Sequence, residues 1–115
     1  MTGQTGKTIA EEALQETPSI SCDEYKTLLA DDTEHVLLDV REEDEWNAGH
    51  IENAMHIPRG FLEFKVEEAV PDKGTRIIVY CARGGRAALA GQTLLELGYT
   101  HVQYLDGGYM GYCQS

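Results

Sequence analysis

The chain has 115 residues, of which 42% are hydrophobic and 25% charged, and its formal net charge is −11. That length fits one globular domain of roughly 100–150 residues, and nothing approaches the ~20-residue apolar stretch of a membrane helix. The acid excess argues against nucleic acid or an anionic membrane as partner, and the polar start predicts no signal peptide.

Residues 1–17 are polar, with Gly3, Gly6 and several threonines, and read as a flexible arm or a short frayed helix; residues 18–115 read as the domain. Ser21, with Glu24 three residues on, is a capping-box pattern. It opens a helix to about Ala30, with Tyr25, Leu28 and Leu29 as the buried stripe. Residues 35–40, His-Val-Leu-Leu-Asp-Val, are the short apolar run of a strand buried on both faces. Residues 42–48 predict a short acidic helix stopped by Gly49. Residues 55–57 are a brief extended piece halted by Pro58, residues 60–69 look helical, and Pro71-Asp72-Lys73-Gly74 is a turn. Residues 76–80, Arg-Ile-Ile-Val-Tyr, form the clearest strand of the chain. A glycine-containing loop leads into a helix over residues 86–97, which Gly98 ends. Residues 101–105 are the last strand, and Asp106-Gly107-Gly108 turns the chain into a short tail. Strands alternating with helices imply parallel crossovers and an α/β fold, a parallel central sheet flanked by helices on both faces. In such sheets the functional site lies at the carboxyl ends of the strands, which points to the residues just after Tyr80.

Charge points the same way. Residues 1–70 carry 17 acidic and 5 basic side chains, a balance of −12, whereas residues 71–115 carry 3 and 4, a balance of +1. Chemistry on an anion belongs in the second part. The cysteines, Cys22, Cys81 and Cys113, are odd in number and far apart, with no Cys-x-x-Cys pair. Neither a disulfide framework nor a zinc site is expected, and a reducing, cytoplasmic setting fits.

Cys81 opens the loop Cys81-Ala82-Arg83-Gly84-Gly85-Arg86 between the clearest strand and a helix. Gly84 and Gly85 let the loop curl so that successive backbone N–H groups point inward as an anion nest. The following helix aims its positive end at the same spot, and Arg83 and Arg86 add formal charge. Each of these favours thiolate over thiol at Cys81, and a thiolate in an anion cradle is a nucleophile. A small buried cysteine ending a strand is the plainer reading, but the glycine pair and the two arginines weigh against it.

Over residues 19–112 the sequence resembles the rhodanese-like domain family, single-domain sulfurtransferase type. The resemblance rests on Leu38-Asp39-Val40-Arg41, Glu45-Trp46, Gly49-His50-Ile51, Asn53-Ala54-Met55-His56-Ile57-Pro58, the loop from Cys81 to Arg86, and Leu105-Asp106-Gly107-Gly108-Tyr109. Where the family often carries Trp after the final Gly-Gly, this chain has Tyr109. The resemblance implies a sulfurtransferase carrying a persulfide on Cys81, with thiosulfate or a similar small anion as donor and cyanide, a thiol or a sulfur-accepting protein as acceptor. It implies no metal and no organic cofactor. A persulfide carrier, or a non-catalytic protein-binding module in a sulfur relay, is the alternative. The six-residue loop looks like the sulfurtransferase type; the related phosphatases and arsenate reductases use one residue more.

By the same resemblance the N–H groups of Ala82 to Arg86 stabilise the persulfide. Arg86 is expected to hold the loop and the substrate anion, and Arg83 to face solvent at the rim. Asp39 and Arg41 read as scaffold, with Arg41 paired to an acid such as Glu45. His50 is expected to tether the loop after the short helix, Trp46 to be core, and Arg59 to overhang the pocket as a further anion contact. Cys113 is read as a free cysteine near the terminus.

Overall fold

The computed structural model describes residues 5–114. Five parallel strands form one sheet in the order β1-β5-β4-β2-β3. They are β1 (Ser19–Ile20), β2 (Val36–Asp39), β3 (Met55–His56), β4 (Ile77–Tyr80) and β5 (Val102–Leu105). The helices are α1 (Gly6–Glu16), α2 (Cys22–Ala30), α3 (Glu43–Ala48), α4 (Leu62–Ala69), α5 (Gly85–Glu96) and α6 (Gly108–Gln114), with a 3-10 turn at Arg59–Phe61.

The central strand β4 is apolar throughout because both of its faces are covered. Ile77 and Val79 enter a core with Ala13 of α1, Leu62 and Val66 of α4, and Ala87, Ala90 and Leu94 of α5. Ile78 and Tyr80 enter a second core with Ile20, Tyr25, Leu28 and Leu105. Side chains that alternate between two buried faces produce an unbroken apolar run, as in residues 77–80. With β2 on one side and β5 on the other, β4 delivers Cys81 to the middle of the sheet's carboxyl edge.

Three readings of the sequence change. Residues 6–16 form a docked helix rather than a flexible arm or a frayed helix: Thr5 caps α1, Ala13 is fully buried, and the Thr17 hydroxyl donates to Ala88 O at 3.2 Å. The approach to α5 is close because α5 offers only Ala87, Ala88, Ala90 and Gly91 as fully covered small residues there. A Cβ on Gly91 would stand 2.8 Å from Thr17 Cγ2. Secondly, the tail after Gly107 is helix α6. Thirdly, Leu29 is 41% exposed, because α2 meets the sheet along the narrow line of Tyr25 and Leu28, and Leu29 is rotated off it. The Ser21–Glu24 capping box of α2 is formed in both directions, at 2.9 and 3.0 Å.

Candidate active site

Strand β4 ends at Tyr80 and α5 begins at Gly85, so Cys81 to Gly84 must reverse the chain within four residues. Gly84 makes this possible. Its φ of +139° lies where L side chains are strained, and it stands over Leu14 of α1 and Tyr104 of β5. Gly85 has no such requirement, since a Cβ there would meet nothing within 4 Å. Inside the reversal Cys81 is 2% exposed, and its Sγ accepts hydrogen bonds from the backbone N–H of Gly84 at 3.1 Å and of Ala87 at 3.3 Å. The six residues Cys81 to Arg86 line a cavity of about 310 Å³.

Amides can point inward only if the carbonyls at the start of the loop are satisfied outward. Helix α6 does this. The N–H of Tyr109 donates to Cys81 O at 2.8 Å, and that of Met110 to Ala82 O at 3.0 Å. Those amides belong to the first turn of α6, whose N–H groups have no partner within their own helix. The approach is so close that a Cβ on Gly108 would fall 2.6 Å from both Cys81 O and Ala82 O. Gly108, with φ +60°, is therefore part of the loop's support, as are Leu14 and the amides of residues 109 and 110. The Gly107-Gly108 doublet is the sequence signal for this contact, where the chain reading sees only a turn.

Beneath this layer lies a buried ion pair. Asp39 is fully buried and takes three bonds from the Arg41 guanidinium at 2.8–3.1 Å and one from the Arg41 N–H at 2.9 Å. Arg41 also donates to Gly49 O at 2.7 Å, and its guanidinium lies 4.5 Å from the Tyr109 ring centre. Tyr109 is thus the aromatic cover of Arg41, and a Cβ on Gly49 would approach its hydroxyl to 2.9 Å. Tyr80 accepts from the Ile51 N–H at 3.1 Å, and burial holds its hydroxyl well above the usual phenol range. The pairing of Arg41 with Glu45 does not occur, because Asp39, two residues away and buried, takes the guanidinium instead.

Glu45 pairs with Arg86. The contact is two-pronged, Nη1 to Oε1 at 2.7 Å and Nη2 to Oε2 at 3.0 Å. The guanidinium pulls the Glu45 carboxyl down to about 2, and Glu45 in turn raises Arg86. Arg86 is therefore turned toward α3 rather than folded over the nest, while Arg83 is exposed at the rim. Arg59 does not overhang the cavity: it donates to Glu63 at 3.0 Å and to Thr93 at 3.0 Å, the latter in the third turn of α5. His50 stacks on Trp46 at 3.5 Å and its Nδ1 stands 3.2 Å from Trp46 O. Trp46 is half-buried, with His56 stacked at 4.7 Å, rather than core. Cys22 points at the carbonyl of Asp106 at 3.4 Å, and burial raises its thiol; Cys113 is exposed.

A family model described as the Rhodanese-like domain matches residues 21–115. The chain belongs to the rhodanese-like domain family. Thiosulfate sulfurtransferase PspE of Escherichia coli is 36% identical over 70 residues, 61% of this chain and 67% of that protein. A thiosulfate sulfurtransferase structure from Pseudomonas aeruginosa superposes with a TM-score of 0.84 at 35% identity, covering 95% of this chain and 21% of that one. The human single-domain sulfurtransferase TSTD1 superposes at 0.75 with 29% identity, over 86% and 97% of the two chains. The chain spans only about a quarter of the curated tRNA uridine(34) hydroxylases that it also matches. The rhodanese-like resemblance and the parallel α/β architecture are thus both established. No described helix is long and apolar enough to cross a membrane.

Proposed function

We propose that this protein is a sulfurtransferase that moves a sulfane sulfur through a persulfide on Cys81. The observation that carries the reading is the thiol itself: a sulfur at the end of the central strand, accepting two backbone N–H bonds in a six-residue cradle. Such donors stabilise negative charge on sulfur without a proton carrier. The Cys81 thiolate attacks the outer sulfur of a donor such as thiosulfate. The new S–S bond forms as the donor's S–S bond breaks, and its electron pair leaves with sulfite. Cyanide or a thiol then attacks the outer sulfur of Cys81–S–S⁻, and the bonding pair returns to Cys81 as thiolate. Relatives named thiosulfate sulfurtransferase support this chemistry, and the unpaired cysteines support a reducing compartment such as the cytoplasm.

Intact-protein mass spectrometry before and after thiosulfate tests it. One added sulfur is expected in the wild type, Cys22→Ser and Cys113→Ser, and none in Cys81→Ser. Sulfur retained by Cys81→Ser removes Cys81 from its role.

A further inference from the structure

The Arg86–Glu45 pair bears on which donors this site takes, an inference that rests on the sulfur-transfer reading. The loop holds two arginines, but only Arg83 is exposed and unengaged by a described ion pair; both terminal nitrogens of Arg86 are taken by Glu45. Glu45 is itself fixed. As the third residue of α3 it accepts the Glu42 N–H at 3.0 Å with the oxygen that also meets Arg86. Its low carboxyl range keeps it ionised at any working pH, and Glu42 adds a further negative charge acting on Arg86. A carboxylate on the fork of Arg86 occupies the geometry that an incoming oxyanion needs.

We infer that Glu45 is a specificity-determining positioning residue, acting through Arg86 to withhold that arginine from the donor. A dianion such as thiosulfate must displace Glu45 or bind beside its charge; a donor of lower negative charge, such as a thiosulfonate or an alkyl persulfide, need do neither. The site therefore selects sulfane-sulfur donors by charge, against the dianion.

The test compares second-order rates of Cys81 persulfidation by thiosulfate, a dianion, and benzenethiosulfonate, a monoanion. Glu45→Gln removes the charge while its amide oxygen still accepts the Glu42 N–H, so α3 keeps its cap. The thiosulfate-to-benzenethiosulfonate rate ratio should rise about tenfold in Glu45→Gln, the scale of one unit charge acting on another a few ångströms away in a partly solvated setting. In an Arg86→Met background the same change should raise the ratio by clearly less, because only the direct repulsion between Glu45 and the dianion then remains. A ratio that stays flat or falls in the single variant overturns the inference, and so does a rise of equal size in both backgrounds. If neither donor adds sulfur to the wild type, the sulfur-transfer reading fails separately. The role of Glu45 is then read from protection of Cys81 against iodoacetamide by thiosulfate, which should require about tenfold less thiosulfate in Glu45→Gln. Unchanged protection rejects it.

Discussion

Replacing Gly108 by alanine tests whether α6 supports the loop from Cys81 to Arg86. The new Cβ would stand 2.6 Å from the carbonyl oxygens of both Cys81 and Ala82, where ordinary contact begins at 3.4 Å. Backbone oxygens cannot rotate away, so the loop or the first turn of α6 must retreat. The φ of +60° costs an alanine about 1 kcal/mol. Losing or stretching the bonds from Tyr109 N to Cys81 O and from Met110 N to Ala82 O adds about 1–2 kcal/mol each. The total is about 3–5 kcal/mol, a large fraction of an ordinary domain's stability but short of unfolding most domains. Gly107→Ala is the control, because φ there is +86° yet the nearest atom to its Cβ is at 3.6 Å; it should cost only about 1 kcal/mol. Urea midpoints measure the first effect. The rate of Cys81 persulfidation measures the second, and for Gly108→Ala it should fall about 100-fold, as expected when reacting groups shift by about 1 Å. Equal stability losses for the two variants, or an undiminished rate in Gly108→Ala, would refute the support role of α6.

Gly85→Ala should be neutral or stabilising by up to about 1 kcal/mol in urea unfolding, since the position is open, helical and free of positive φ. Arg41→Met should lower stability by about 3–5 kcal/mol by leaving Asp39 charged and fully buried, and adding Asp39→Asn should recover part of that loss. Glu45, held at about 2 in the folded chain against an ordinary 4.5, contributes stability above pH 4.5 that disappears as pH falls toward 2. The urea midpoint of the wild type should therefore exceed that of Glu45→Gln at pH 6 and converge on it near pH 2; a constant gap contradicts the pairing. Leu62→Ala should cost about 2–5 kcal/mol, whereas Phe64→Ser, at an 83% exposed site on the same helix, should change the urea midpoint by less than about 0.5 kcal/mol equivalent.

The parallel sheet was legible in the chain because burial on both faces leaves an unbroken apolar run, as at residues 77–80, and because caps such as Ser21–Glu24 act over three residues. The position of Cys81, between that strand and a glycine-led helix, came from the same local grammar. Residues 1–17 were legible only as an arm or a short frayed helix, and the segment after Gly107 only as a short tail. For the described part of these segments, stability comes from surfaces far away in sequence: Thr17 against Ala88, the Tyr104 hydroxyl on Leu14 O, and the α6 amides on Cys81 and Ala82.

Charge partners divide along the same line. Composition located the acid excess in the first 70 residues, and motif order located the arginines, but neither says which carboxylate reaches which guanidinium. Asp39 takes Arg41 because two residues at a buried strand end have no other choice, while Glu45 and Arg86 meet across 41 residues only when α3 and α5 are placed by the sheet. Residue types and local caps act within a turn or a strand, so the sequence by itself determined the strands, the helices between them and the place of Cys81 at the end of the central strand. Pairing of charges and the support beneath the loop depend on distances between elements, which only tertiary packing decides.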